Sequence, residues 1–152
     1  MRKGLRLFGH PVHPPLTAFP LVLLTLAPVA DAAGWLRAEA LFWQLGFWCV
    51  VGGLVAALPA ALTGFIDYSA VPSESPASKT GLFHLGAMLT AVSLSGLSLA
   101  FRGGPVPEPD ARALALGMEA AVALLVLGGG WLGGHLVFHH AVGVQGGPTR
   151  AP

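Results

Sequence analysis

Leu41 to Ile66 reads LFWQLGFWCVVGGLVAALPAALTGFI, and nowhere between Glu39 and Asp67 does an Asp, Glu, Lys or Arg occur. About 20 apolar residues are enough to cross the hydrocarbon core of a bilayer as a helix, so this run reads as a membrane span. Working outward, three further stretches qualify. Between Arg6 and Asp31 the only ionisable side chains are His10 and His13. Thr80 to Phe101 is interrupted by His84 alone, and Ala113 to Gly134 carries one acid, Glu119. The balance of the whole chain agrees: 54% of its 152 residues are hydrophobic and only 10% charged, against about a quarter charged in a soluble domain.

These runs predict an all-α fold, a four-helix transmembrane bundle of up-down topology with both termini on the same side. The expected helices cover about 15–33, 41–66, 80–101 and 111–142. Proline's missing N–H costs nothing in a first turn, so helix one is expected to open at Pro14 or Pro15. Pro20, Pro28 and Pro59 are expected to bend helices one and two. Gly34 to Glu39, Val71 to Ser78 and Arg102 to Pro109 read as connections. No repeat, low-complexity tract or long linker separates one half from another, so residues 1–152 are read as a single integral-membrane domain.

Odd-numbered helices then begin, and even-numbered helices end, on the face that holds the N-terminus, called side A here. All six histidines fall on it: His10 and His13 before helix one, His84 early in helix three, and His135, His139 and His140 in the closing turns of helix four. Asp67 and Tyr68 leave helix two on the same face. Basic residues number five on side A (Arg2, Lys3, Arg6, Lys79, Arg150) and three on side B (Arg37, Arg102, Arg112), which by the positive-inside rule puts the termini in the cytoplasm. Arg2, Lys3 and Arg6 ahead of Leu16 to Ala30 also imitate a cleavable leader; the prolines and histidines of this region favour a structural first helix, and intact mass decides. Sparse, scattered basic residues argue against nucleic acid. Cys49, the single cysteine, excludes a disulfide framework and a paired-cysteine metal motif.

Imidazole ligates transition metals and haem iron and titrates near neutrality, and each use rewards clustering. The prolines of His10-Pro11-Val12-His13-Pro14-Pro15 favour an extended, stiff backbone around two imidazoles. His135 and His139 share one helical face, whereas His140 points roughly 100 degrees from His139 while the helix stays regular. Asp67, costly near lipid, is expected to pair with a histidine or a cation, or to end solvated at the close of helix two. Glu119 is expected to face the bundle or to snorkel rather than perform chemistry, and Asp31 is read the same way. Gly129/Gly133 and Gly130/Gly134 are expected to let a neighbouring helix, with helix two as the partner, approach closely.

Gly9-His10-Pro11-Val12-His13-Pro14, then Phe19-Pro20 and Asp31, then Gly64 with Asp67, His84, Gly130-Trp131-Leu132-Gly133-Gly134, Leu136-Val137-Phe138 and His140-Ala141-Val142-Gly143-Val144 together resemble a bacterial membrane family catalogued as domain of unknown function 2231. The resemblance covers nearly the whole chain and implies a four-helix membrane domain. It further implies electron transfer by association, since family relatives sometimes precede a Rieske-type iron–sulfur domain; this chain lacks the cysteines for one, so such a redox partner is a separate protein. The family often has glycine where Ala141 stands and other residues where His135 and His139 stand, which leaves His10, His13, His84 and His140 as the shared set.

Three functions remain open at this point. The first is a small b-type cytochrome-like electron-transfer protein holding haem b through two of His13, His84 and His140, with Arg6 or Lys79 at the propionates and a quinone or Rieske-type partner. The second holds a non-haem transition metal such as iron, copper or zinc, or a proton relay, on His10, His13, His84 and Asp67. The third is a structural or assembly subunit without a cofactor. No nucleophile with an adjacent base, phosphate-binding glycine loop or HExxH helix supports a hydrolase or kinase. A bacterial inner membrane is the expected location.

Overall fold

The computed structural model describes residues 4–144. Its elements are β1 Arg6–Leu7, β2 His10–Pro11, α1 His13–Arg37, α2 Ala40–Ser69, α3 Pro76–Arg102 and α4 Arg112–Phe138. All four helices are long and apolar enough to cross a membrane, and the chain is an all-α membrane bundle. In hydrocarbon every backbone polar group must find a partner within the chain, which a helix provides without help from a neighbour. That is why Pro20, Pro28 and Pro59 all lie inside helices instead of ending them. Large apolar side chains such as Phe19, Val55, Leu62, Phe83, Leu124 and Trp131 point outward, as a lipid-facing surface requires.

The helices outrun the sequence-based boundaries at six of eight ends, and each departure has a local cause. α1 continues through Gly34 to Arg37 because Gly34 is not a stop: it is buried against the indole of Trp43, and a Cβ there would lie 2.8 Å from Cδ1. The turn to α2 is made by Ala38 in a left-handed conformation, φ 54°. α3 starts at Pro76, not near Thr80, since Ser75 caps it by accepting the Ser78 N–H at 3.2 Å and proline suits the first helical turn. α4 stops at Phe138, short of the expected Val142. The His140 N–H returns to the His135 carbonyl and the Val142 N–H to that of Leu136, while Ala141, at φ 53°, turns the chain away.

The stretch ahead of α1 is not a uniformly extended strand. β1 and β2 form an antiparallel hairpin pairing Arg6 with Pro11 and Leu7 with His10. Phe8 and Gly9, at φ 49° and 83°, make its two-residue turn, the geometry preferred in tight hairpins. His13 is already the first residue of α1. The Asp67 carboxylate holds the hairpin to α2 by accepting the Leu5 N–H at 2.7 Å. The Arg6 guanidinium donates to the Gly143 carbonyl at 3.3 Å, so both ends of the described chain meet on side A. Arg2, Lys3 and Arg150, part of the charge count above, lie outside the described residues.

Interior positions follow one rule in every helix: steps of three and four, the period of a left-handed coiled seam. α1 presents His13, Thr17, Pro20, Leu24, Ala27, Asp31 and Gly34; α2 presents Trp43, Gly46, Val50, Gly53, Ala57, Ala60 and Gly64. α3 runs from Ala77 and Gly81 through His84, Met88, Ala91, Ser95 and Ser98 to Arg102, and α4 through Ala115, Glu119, Val122, Val126, Gly129 and Gly133. All of these are buried or half-buried. Most are small, as helix packing in lipid favours.

α1 packs along α2 and α3 along α4; α1 and α4 close the bundle, and of the neighbouring pairs α2 and α3 touch least. The two hairpins correspond position by position, although their sequences show no repeat. Seventy-one residues separate His13 from His84, Leu24 from Ser95 and Asp31 from Arg102; sixty-nine separate Val50 from Glu119, Ala60 from Gly129 and Gly64 from Gly133. The hairpins run in the same sense, so this is a parallel repeat with its axis along the membrane normal.

Candidate functional site

At side A the correspondence extends to chemistry. His13 Nδ1 lies 2.9 Å from the Ala60 carbonyl, and its ring covers Gly64, where a Cβ would be 2.7 Å from Cε1. His84 Nδ1 lies 2.7 Å from the Gly129 carbonyl, and its ring covers Gly133, where a Cβ would be 3.2 Å from Cε1. Each imidazole therefore bonds a carbonyl of the facing helix and rests on the glycine one turn further on. A carbonyl only accepts, so Nδ1 carries the proton in both rings. In the neutral ring this leaves the lone pair on Nε2, the arrangement that orients a ligating histidine. Thr63 Oγ1, 3.2 Å from His13 Nδ1, donates its own proton to Pro59 and Ala60 carbonyls and so receives from the ring. His84 and Asp67 both act electrostatically on His13.

The other predicted residues occupy different settings. His10 is exposed on β2 and lines a concavity of about 220 Å³ with Leu7, Pro11, Val12, Pro15 and Leu16. Asp67 does not pair with a histidine: its carboxylate is committed to the Leu5 amide. His140 Nε2 lies 3.2 Å from Thr80 Oγ1, which joins the end of α4 to the start of α3. His135 stacks between Trp131 and His139, at centroid distances of 5.6 and 4.4 Å. Because α4 ends at Phe138, His140 is not held 100 degrees from His139; it sits edge-on to His135 and His139 at 5.1 and 4.9 Å. Removal from water, then the neighbouring His139 and His135, hold the His140 pKa below its ordinary value. Among the described residues no three His, Cys, Asp or Glu side chains converge as metal ligands.

The glycines of α4 do not serve α2. Gly129 receives Met88 and Gly133 receives His84, both from α3, and Gly130 receives Leu21 of α1. The glycines of α2 serve α1: Gly46 receives Asp31, Gly53 receives Leu24 and Gly64 receives His13.

A second polar centre, whose acids the sequence reading took one at a time, lies at the opposite end. Asp31 and Arg102 form a fully buried ion pair, with Nη1 on Oδ2 and Nη2 on Oδ1. Arg102 Nη2 also donates to the Trp43 carbonyl at 2.8 Å, so α1, α2 and α3 meet at one guanidinium. Arg102 was expected in a loop; it is instead the last residue of α3, on its interior seam. Glu119 of α4 is fully buried beside them. The signal available in sequence was the period: Asp31 lies on the 3–4 seam of α1 with His13, and Arg102 on that of α3 with His84. Eighteen residues separate the members in each helix, about 27 Å of rise, which is close to the thickness of the hydrocarbon core.

Fold and site together define a small four-helix membrane protein of two like hairpins, with imidazoles at one end of its interior and ionised groups at the other. The chain belongs to the family of predicted membrane proteins DUF2231, whose model matches residues 9–146. No curated protein and no solved structure matches it.

Proposed function

We propose that the chain is a membrane electron-transfer component that would hold haem b between its hairpins through His13 and His84. The observation that carries this reading is the matched pair of imidazoles, each with Nδ1 anchored on a facing carbonyl and Nε2 free of any protein partner among the described residues. Haem iron needs only two protein ligands; His84 acts electrostatically on His13, and no group of three His, Cys, Asp or Glu side chains competes among the described residues. The sparse contact between α2 and α3 favours entry of a flat group there. Lys79, exposed in the first turn of α3, suits a propionate. His140, engaged with Thr80, is left out. Haem would supply one-electron exchange there, and the two histidines would hold and orient it. The partner in this reading is a quinone or a separate Rieske-type protein, in a bacterial cell membrane with cytoplasmic termini.

Reduced-minus-oxidised absorption of protein purified from haem-sufficient cells tests the reading. A Soret band that is lost in both His13→Ala and His84→Ala is expected. A wild-type protein with no such band overturns it. One observation favours a second reading, a structural subunit: each imidazole already locks a helical hairpin through its Nδ1 bond. In that case no haem band appears and His84→Ala lowers stability alone.

A further inference from the structure

Glu119 is fully buried, and neither of its carboxylate oxygens has a hydrogen-bond partner among the described residues. Ser98, which faces it, has an unpartnered hydroxyl, and Arg102 an unpartnered Nε. Groups of this kind are costly in a membrane interior unless paired or neutral.

The charge count sharpens the point. α1 contributes Asp31 and α3 contributes Arg102, whose guanidinium stays protonated. α2 contributes the Trp43 carbonyl and the Cys49 thiol, which is in electrostatic reach of Asp31. On α4 itself Arg112 shares the Trp43 ring with Arg102, at 5.7 and 6.0 Å, but its Nε donates to the Pro107 carbonyl and none of its N–H groups reaches Glu119. Asp31 already occupies the guanidinium with two bonds. With both acids ionised the cluster carries one uncompensated negative charge; with one proton it is neutral.

Packing does not demand an acid here. Glu119 corresponds to Val50 in the first hairpin, Ser98 to Ala27 and Ser95 to Leu24. The first hairpin fills the same seam with hydrocarbon, so the carboxyl and hydroxyls of the second are additions to a frame that stands without them.

We propose that Glu119 is a proton-binding site: its carboxyl holds one exchangeable proton at neutral pH, donated toward Ser98 Oγ, and the Asp31–Arg102 pair fixes that occupancy. The proton comes from water, and its release leaves the carboxylate to compete with Asp31 for Arg102. This site is independent of haem binding at side A, so either can fail without the other.

Infrared spectra of the full-length protein in bilayers test it. A neutral-carboxyl C=O stretch is expected at neutral pH, shifting on transfer to heavy water and disappearing on alkaline titration. It moves with ¹³C-labelled glutamate and not with labelled aspartate, which identifies the residue without any substitution. Glu119→Gln removes the band while the helical circular dichroism is retained. Asp31→Asn also removes it, because Glu119 then ionises against Arg102. Absence of a neutral-carboxyl band in wild type, or a band that follows the aspartate label, overturns the proposal.

Discussion

Ala141 holds φ 53°, a conformation that costs an L-residue about 1–2 kcal/mol and glycine almost nothing. Ala141→Gly is therefore expected to stabilise the protein by about 0.5–1 kcal/mol after the greater freedom of the unfolded glycine is counted, read as a rise in melting temperature in detergent. His140 supplies a pH test. Its folded pKa lies below the ordinary 6.5, so the unfolded state takes up the proton first as the pH drops. Its contribution to stability is complete above about 6.5 and is lost as the pH falls from there through the folded value. Melting temperature measured across this window should fall in wild type and fall less in His140→Gln.

At the scale of helices, the paired imidazole seats make matched predictions. Gly64→Val and Gly133→Val each force a branched side chain into a histidine ring, an overpacking that typically costs about 1–3 kcal/mol. Gly86→Val and Gly128→Val meet open space and are expected to be tolerated. Unfolding by denaturing detergent separates the two pairs. These seats also show what the sequence made legible. The four spans stood out because charge is absent over long runs, and the side A histidines followed from counting helices. The inward faces did not stand out. In a soluble bundle apolar residues mark the core, but here lipid accepts Leu and Phe on the outside, so hydrophobicity carries little helical asymmetry. What marks the core is small and polar residues in steps of three and four, and that pattern contains His13 with Asp31 and His84 with Arg102. Ser75-Pro76 was a cap and first turn that resembled a breaker, and Gly34 was a close approach that resembled a stop.

For the whole molecule, the axis relating the hairpins passes between Asp31 and Arg102, which occupy equivalent places in α1 and α3. Removing one member of a buried pair commonly costs about 3–5 kcal/mol where the other charge is stranded; Glu119 can answer Arg102 when Asp31 is neutralised, so reversal of charge is the test of the pair. Asp31→Arg or Arg102→Asp alone is expected to prevent assembly. The double exchange, Asp31→Arg with Arg102→Asp, should restore a folded bundle, measured as recovery of the monodisperse protein in size-exclusion chromatography. Failure of the exchange with both singles tolerated would show that the pair does not join the halves.

The same pair imposes an order on biogenesis. When the first hairpin leaves the ribosome it carries an acid in a span whose counter-charge is still seventy-one residues away. The nascent chain must shelter Asp31, in the translocon or as a neutral acid, until α3 is synthesised to its last residue. A chain truncated before Arg102 thus reaches the bilayer with an unanswered carboxyl at its far rim.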